Sequence, residues 1–312
     1  MQILRDSLTD LNINKDGLAI ALGTFDGVHL GHSALLNKLI EVSKRDNLNS
    51  LVYTFDELPL NVLFNESKIK IIMTQSEKEE AISNFEIDYL FIKHFDLKYA
   101  DMSYKDFINH LLTFPNLKHI IVGFNFTFGY KAEGSSSILK STLEKAGVKV
   151  TVIPPVLYDN IPVSSSKIRN YISDGEVECA SKLLGQPYSI ESIVVQGKQL
   201  GNTLGFPTAN INYDSTKALP KTGVYITLTE VDGKSFPSIS NVGYNPTVES
   251  NNNKKIKIET NLLDYSDSLY GEKIRVYFIK KVRNEKTFKS IDDLKDQISK
   301  DVQTARKYFD LL

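Results

Sequence analysis

Apolar residues follow two rhythms along this chain, and the rhythm changes near Gly185-Gln186-Pro187. Before that point, short apolar runs read as buried strands: Leu18–Leu22, Ser50–Phe55, Asp88–Ile92, His119–Val122 and Lys149–Ile153. Stretches with helical spacing separate them. Ser33–Val42 is one, Ser103–Thr113 and Ser136–Lys145 are others, and Thr74-Gln75-Ser76-Glu77 is a capping box that opens a helix through Phe85. Strands alternating with helices predict a parallel sheet covered on both faces. Two short helices, Lys167–Ser173 and Glu176–Leu184, close this half. Beyond it the period becomes two. Ile190, Ser192 and Val194 alternate with Glu191, Ile193 and Val195, with apolar residues on both faces. Gly223–Val231 and Lys234–Val242 flank Asp232-Gly233, a strong hairpin signal. Lys255–Thr260 and Lys273–Ile279 alternate as well, and only Ile291–Leu312 reads as a long helix. This half predicts a small antiparallel β-barrel with a C-terminal helix. The expected domains are therefore residues 1–185 and 186–312.

Composition narrows the class. A chain of 312 residues suits two domains of ordinary size. Its formal net charge of -1 advertises no basic face, which argues against a nucleic-acid partner. The one cysteine, Cys179, rules out an internal disulfide framework and fits a reducing cytoplasm. It lies in a helical pattern and reads as packed. Met1–Asp6 lacks the apolar core of a signal peptide, and no run approaches the ~20 apolar residues that would span a membrane. A monomer or weak homo-oligomer is expected.

The chemistry begins where the first apolar run ends, in Gly23-Thr24-Phe25-Asp26-Gly27-Val28-His29-Leu30-Gly31-His32. A glycine-punctuated turn links a strand to a helix and delivers two histidines at the helix start. Helix N-termini offer unpaired N–H groups and a positive dipole end, which suit phosphate. Gly27 and Gly31 allow close backbone approach, and His29 and His32 can aim imidazole donors at one phosphate, stabilising charge during phosphoryl or nucleotidyl transfer. Further along, Val122–Tyr130 carries three phenylalanines alternating with polar or glycine positions. That spacing fits either core packing or an aromatic wall, formed with Phe128, for a planar ligand that Asn125 would hydrogen-bond. In Ser164-Ser165-Ser166-Lys167-Ile168-Arg169, Lys167 and Arg169 fall near the start of a helix, unfavourable against its dipole unless an anion sits there.

In the barrel half, Gly197, Gly201 and Gly205 recur every fourth residue around Lys198, and Phe206-Pro207-Thr208-Ala209-Asn210 follows. Such a loop can wrap phosphates. Thr208 and Asn210 offer neutral oxygens that suit Mg²⁺ held mainly by nucleotide phosphates. Glu259 alternates outward from Ile256 and Ile258, and by pattern alone it is a solvated strand residue.

Taken together these strings resemble a known family. GTFDGVHLGH is similar to the HxGH signature of the nucleotidyltransferase superfamily, in the form found in bacterial bifunctional riboflavin kinase/FMN adenylyltransferases. The segment from Gly123 resembles the family's G-x-x-F-x-F-G stretch, and the Ser164–Arg169 string its S-S-T-x-I-R motif. GFPTAN resembles the riboflavin kinase signature. Ile258–Asp264 resembles L-E-x-H-L-L-D, whose glutamate is a general base. Asn241–Thr247 and Val282–Phe288, with Arg283, resemble structural and flavin-side strings. The resemblance runs from about residue 18 to the C-terminal helix.

It implies a Rossmann-like nucleotidyltransferase domain followed by a riboflavin kinase barrel. One half would phosphorylate riboflavin with ATP and Mg²⁺ to FMN and ADP. The other would adenylylate FMN with ATP to FAD and pyrophosphate. The implied catalytic residues are His29, His32, Arg169 and Glu259. Gly23, Phe25, Asp26, Gly31, Asn125, Phe128, Ser164, Ser165 and Lys167 would line the adenylylation site. Gly197, Lys198, Gly201, Gly205, Pro207 and Arg283 would line the kinase site, with Thr208 and Asn210 on the metal. The chain departs from the pattern at several places. Leu200, Asn202 and Asn245 stand where arginines are usual, Asn261 where histidine is, and Lys167 where arginine is. Asp56-Glu57-Leu58-Pro59 lacks the histidine before its proline. Weaker nucleotide or flavin binding is the expected consequence, above all in the barrel half. A specialised paralogue with one activity and a non-catalytic flavin-binding or regulatory protein are the rival readings; separate assays of riboflavin phosphorylation and FMN adenylylation test the first, and turnover with riboflavin, ATP and magnesium the second.

Overall fold

A computed structural model describes residues 1–64, 66, 68–195, 205–244 and 256–310. The chain divides into two compact units, Met1–Ser165 and Ser166–Leu312.

In chain order the first unit contains β1 (Gln2–Arg5), β2 (Leu18–Leu22), α1 (Leu30–Arg45), β3 (Asn49–Phe55), α2 (Pro59–Leu63), α3 (Gln75–Ser83), β4 (Tyr89–Lys93), α4 (Leu97–Ala100), α5 (Tyr104–Leu112) and β5 (Leu117–Gly123). The short strands β6 (Thr127–Phe128) and β7 (Gly134–Ser135) follow, then α6 (Ser136–Lys145), β8 (Lys149–Ile153), β9 (Leu157–Tyr158) and β10 (Ile161–Pro162). Six strands form one parallel sheet in the order β1-β4-β3-β2-β5-β8. The edge strand β1 gave no signal in the sequence, because only Leu4 of its four residues is buried.

The unbroken apolar runs have a simple cause. In β2, Leu18, Ile20 and Leu22 face one core, shared with α5 and α6 through Phe107, Leu111, Leu139 and Leu143. Ala19 and Ala21 face a second core, built with α1 and α3 through Leu36, Leu39, Val42 and Ile82. A strand covered on both faces has no polar side to show. The expected capping box is present: the Thr74 hydroxyl and Glu77 carboxylate bond each other's backbone N–H groups at the start of α3.

In the second unit come α7 (whose first residue, Ser165, closes the first unit, and which runs Ser165–Asp174), α8 (Val177–Leu184), β11 (Tyr188–Val195), β12 (Ala209–Ile211), β13 (Gly223–Val231), β14 (Lys234–Tyr244), β15 (Ile256–Leu262) and β16 (Lys273–Arg283), then the C-terminal helix Ile291–Asp310. The six strands close an antiparallel barrel in the order β11-β12-β15-β14-β13-β16. Asp232 and Gly233, both at positive φ, make the predicted tight turn between β13 and β14.

One face of these strands is unexpectedly polar. Thr227, Thr229, Ser238, Ser240 and Thr260 are fully buried. Thr227 bonds Ser238 and Ser240 at 2.8 Å each, Thr229 bonds Ser238 at 2.8 Å, and Ser240 bonds Thr260. The hydroxyls satisfy one another, so burial leaves no orphan. On the alternate face, Val224, Ile226 and Ile239 pack under Ala305, Val302 and Phe309 of the C-terminal helix. That helix is tied down by charge: Arg283 donates to Asp301 through Nε at 3.0 Å and Nη2 at 2.6 Å, with side-chain exposures of 15% and 6%.

Breaking a buried pair strands the remaining charge. Asp301→Ala is expected to destabilise the barrel unit by about 3–5 kcal/mol. Thermal or urea unfolding measures this; a loss below about 1 kcal/mol is the value of an exposed pair and would refute it.

Candidate active sites

The first site lies beyond the carboxyl ends of the parallel strands. β2 has β3 on one side and β5 on the other, so the chain order reverses here, the position where such sheets open a ligand crevice. The turn leaving β2 is strained. Phe25 and Val28 take φ of 52° and 37°, which side chains other than glycine rarely adopt. Burial holds them there, since both pack with Leu35 and Leu36 of α1. Asp26, only 4% exposed, accepts the Ile72 and Met73 N–H groups at 2.9 and 3.2 Å. The Thr54 hydroxyl donates to the Thr24 carbonyl and the Ser165 hydroxyl to that of Asp26. Phe25 and Asp26, expected at the ligand, are thus turn-builders whose side chains point into protein.

His29 is the N-cap of α1. Its Nδ1 accepts the His32 backbone N–H at 3.2 Å. An accepting nitrogen carries no proton, so the neutral ring bears its proton on Nε2, as a donor. Gly31 makes this possible: a Cβ there would stand 3.0 Å from the His29 ring. The His29 and His32 rings stack at 3.7 Å and 11°. His32 keeps some exposure as a residue, but its Nδ1 is buried with no hydrogen-bond partner among the described residues. Burial, then the neighbouring His29, then the Lys78 ammonium push its pKa well below the ordinary histidine value.

Lys78 is a member of this site that sequence reading missed. It lies in the first turn of α3, is 7% exposed, and donates from Nζ to the Phe55 carbonyl at 2.7 Å. Burial lowers its pKa to about 8 despite the attraction of Asp26, Asp56 and Glu79. The capping box located its helix; nothing in the periodicity marked a lysine for burial.

At the end of β5, Asn125 is exposed, with its Oδ1 over Gly123. The three phenylalanines divide. Phe128 is a correction to the aromatic wall: it is 6% exposed and packs on Phe107 at 4.9 Å, with Phe126 alongside, and only Phe124 is open, at 51%. The ring needed to close the core over α5 is not available to a ligand. Ser164 precedes α7. Lys167 and Arg169 fall in the second unit, in the first turns of α7; Lys167 lies over Tyr171 and Arg169 reaches the Ser166 hydroxyl at 3.4 Å.

The second site is on the outer face of the barrel. Asn210 of β12 pairs with Glu259 of β15, so their side chains share a face. Lys257, two residues before Glu259, donates to Asn210 Oδ1 at 3.2 Å and to Glu259 Oε1 at 3.3 Å. Thr208 lies two residues before Asn210, half-buried, and Asn261 holds this string in place by donating to the Pro207 carbonyl at 2.6 Å. Asn261 therefore supplies a donor where the resemblance expected histidine. Gly205, at φ 84°, and Pro207 are exposed. Gly197, Lys198, Gly201, Leu200, Asn202 and Asn245 lie outside the described residues. Arg283, expected at the flavin, is engaged elsewhere: its guanidinium is taken up by Asp301 and lies against Phe288. Among the described residues no three His, Cys, Asp or Glu side chains converge on a metal. The neutral oxygen of Asn210 already faces a cation, and that donor set fits Mg²⁺ brought in by phosphates.

Comparison with known proteins agrees across both halves. A family model described as FAD synthetase matches residues 11–167, and one described as riboflavin kinase matches residues 184–309. Proteins named bifunctional riboflavin kinase/FMN adenylyltransferase are similar over nearly their full length. The one from Buchnera aphidicola subsp. Schizaphis graminum is 37% identical over 100% of both chains. The one from Bacillus subtilis is 36% identical over 93% of this chain and 92% of that one, and the Escherichia coli K12 protein 34% identical over 95% and 94%. A crystal structure described as a macrolide-efflux protein from Streptococcus pneumoniae superposes with a TM-score of 0.87 at 29% identity, covering 98% of this chain and 99% of that one. No helix among the described residues is long and apolar enough to cross a membrane.

The stacked histidines have a pH signature. With the folded pKa of His32 below its unfolded value of about 6.5, the unfolded chain takes up a proton on acidification that the native state does not. Stability is therefore lost as pH falls below about 6.5, and His32→Asn removes that part of the loss. Imidazole NMR titration is expected to show one ring, absent in His32→Asn, still neutral well below pH 6.5; a His32 that titrates near the ordinary value would refute its burial.

Proposed function

The chain belongs to the bifunctional riboflavin kinase/FMN adenylyltransferase family, and on that premise we propose that it makes FAD from riboflavin in two ATP-dependent steps. Residues 186–312 carry the first and residues 1–185 the second. The observation that supports this most is the pairing of Glu259 with Asn210 on the barrel and of His29 with His32 at the sheet, two constellations of different chemistry in separate compact units.

In the kinase step Glu259 accepts the proton of the riboflavin 5′-hydroxyl as that oxygen attacks the γ-phosphorus of ATP, and ADP leaves. Thr208 and Asn210 would hold Mg²⁺, which would supply neutralisation of charge on the phosphates. In the adenylylation step an FMN phosphate oxygen attacks the α-phosphorus of the second ATP, the bond to the β-phosphate oxygen breaks, and pyrophosphate leaves. No protein nucleophile is needed. The His29 Nε2–H and the α1 N-terminus offer donors to the phosphates, and Asn125 and Ser164 of the same unit add further ligand contacts. The single cysteine suits a reducing cytoplasm.

Glu259→Gln is expected to keep the barrel folded and to slow riboflavin phosphorylation by on the order of 10²–10⁴-fold, while FMN adenylylation proceeds near its normal rate. The variant makes FAD from FMN but hardly from riboflavin. Retained phosphorylation would remove Glu259 from the role of base. Replacing His29 and His32 together with alanine is expected to give the reverse: FAD formation suppressed and phosphorylation kept, measured by separating flavins chromatographically. Equal loss of both activities in a folded double variant would contradict independent sites.

A further inference from the structure

Lys257 has no part in the reactions as written, yet it occupies the atoms that matter most to one of them. Its ammonium sits between Asn210 Oδ1 and Glu259 Oε1, at 3.2 and 3.3 Å. Across the ladder, on β14, its neighbour is Gly243, over which the Glu285 carboxylate lies, accepting the Tyr244 N–H at 3.3 Å. The Lys257 and Glu259 side chains are each 35% exposed. An ion pair this open is weak, because solvent screens it and two flexible side chains must be held in place. Lysine also carries its charge on a four-carbon stem that can swing away into water.

We propose that Lys257 is a resident counter-cation of the kinase site, which holds the Asn210 and Glu259 oxygens until a metal–nucleotide complex displaces it. The inference rests on the reading of Asn210 as a metal ligand and Glu259 as the base. A metal on Thr208 and Asn210 and an ammonium on Asn210 and Glu259 share the Asn210 oxygen, and two cations at that distance repel strongly, so the metal brought by the nucleotide and the ammonium compete. While Lys257 is in place, one oxygen of Glu259 is turned to it and away from a hydroxyl. Departure of the lysine frees that oxygen when nucleotide is present. The pair thus orders the site, nucleotide before base.

Competition predicts a gain, which a merely structural lysine would not produce. In the full-length protein, calorimetric titration with ADP over a range of Mg²⁺ concentrations gives the Mg²⁺ needed for half-maximal ADP affinity. Lys257→Met is expected to lower that concentration about three- to fivefold, Lys257→Gln to do the same, and Lys257→Arg, which retains a cation, to leave it near the parent value. An unchanged or higher Mg²⁺ requirement in both neutral variants overturns the proposal. Asn210→Ala in the same titration separates the two levels. If it raises the Mg²⁺ requirement while the lysine variants change nothing, only the role of Lys257 is wrong. If it too has no effect, the metal site itself is misplaced and the competition falls with it.

Discussion

The two hydrogen bonds that Asp26 accepts from the backbone N–H groups of Ile72 and Met73 hold the first site in its working shape. Without them the turn after β2 would have to keep Phe25 and Val28 at positive φ by packing alone, against strain of about 1–3 kcal/mol per residue. The anchor also sets where α3 begins, since Thr74 caps that helix one residue after Met73. Lys78 follows from the same start and is carried back to the end of β3. One carboxylate thus fixes the histidine pair on one element and the buried ammonium on another. Its own charge is fully engaged in doing so.

In the barrel, the burial of hydroxyls and the placement of the site are two sides of the same alternation. Thr260 points to the buried hydroxyl network while its neighbour Glu259 points outward to Asn210 and Lys257. A shift of one residue in the β12–β15 register would bury the carboxylate and expose the threonine. The cost of burying an unpaired carboxylate is far larger than that of burying a bonded hydroxyl. The polar interior is therefore also a register lock, because Ser240 and Thr260 can meet only in the observed pairing.

The sheet and barrel were legible because both rest on periodicity: unbroken runs where two faces are covered, alternation where one is. The strand β1 was not, since an edge strand with one buried residue has no pattern to show. Among site residues, the placing of His29 and His32 at a helix start could be read from spacing, because it follows from position on the chain. His29 caps the helix that starts beside it, and Gly31 clears its ring. Phe128, Asp26 and Arg283 could not, because each role depends on a partner distant in sequence: Phe107, the Ile72–Met73 backbone and Asp301. Lys78 and Lys257 were hidden for the same reason. A charged residue in an amphipathic pattern reads as solvated until a carbonyl or carboxylate arrives from another strand.

The different make-up of the two sites follows from their nucleophiles. A primary hydroxyl is a poor nucleophile until its proton leaves, so a kinase site needs a carboxylate within its reach, and the base proposed for it, Glu259, is held by only a weak, open ion pair. A phosphate monoester, with a second pKa near 6, already carries its attacking charge at neutral pH. A base beside it would add nothing, and a second negative charge would repel both substrates. The first site is built to match. Among the described residues its buried carboxylates are occupied, Asp26 by the Ile72 and Met73 N–H groups and Glu77 by that of Thr74, its histidines are stacked with His32 held neutral, and the buried Lys78 ammonium, which lowers the His32 pKa, is a positive charge that under the proposed function would favour an anionic transition state. Acid–base chemistry sits where a proton must move, and fixed donors and positive charge sit where one need not.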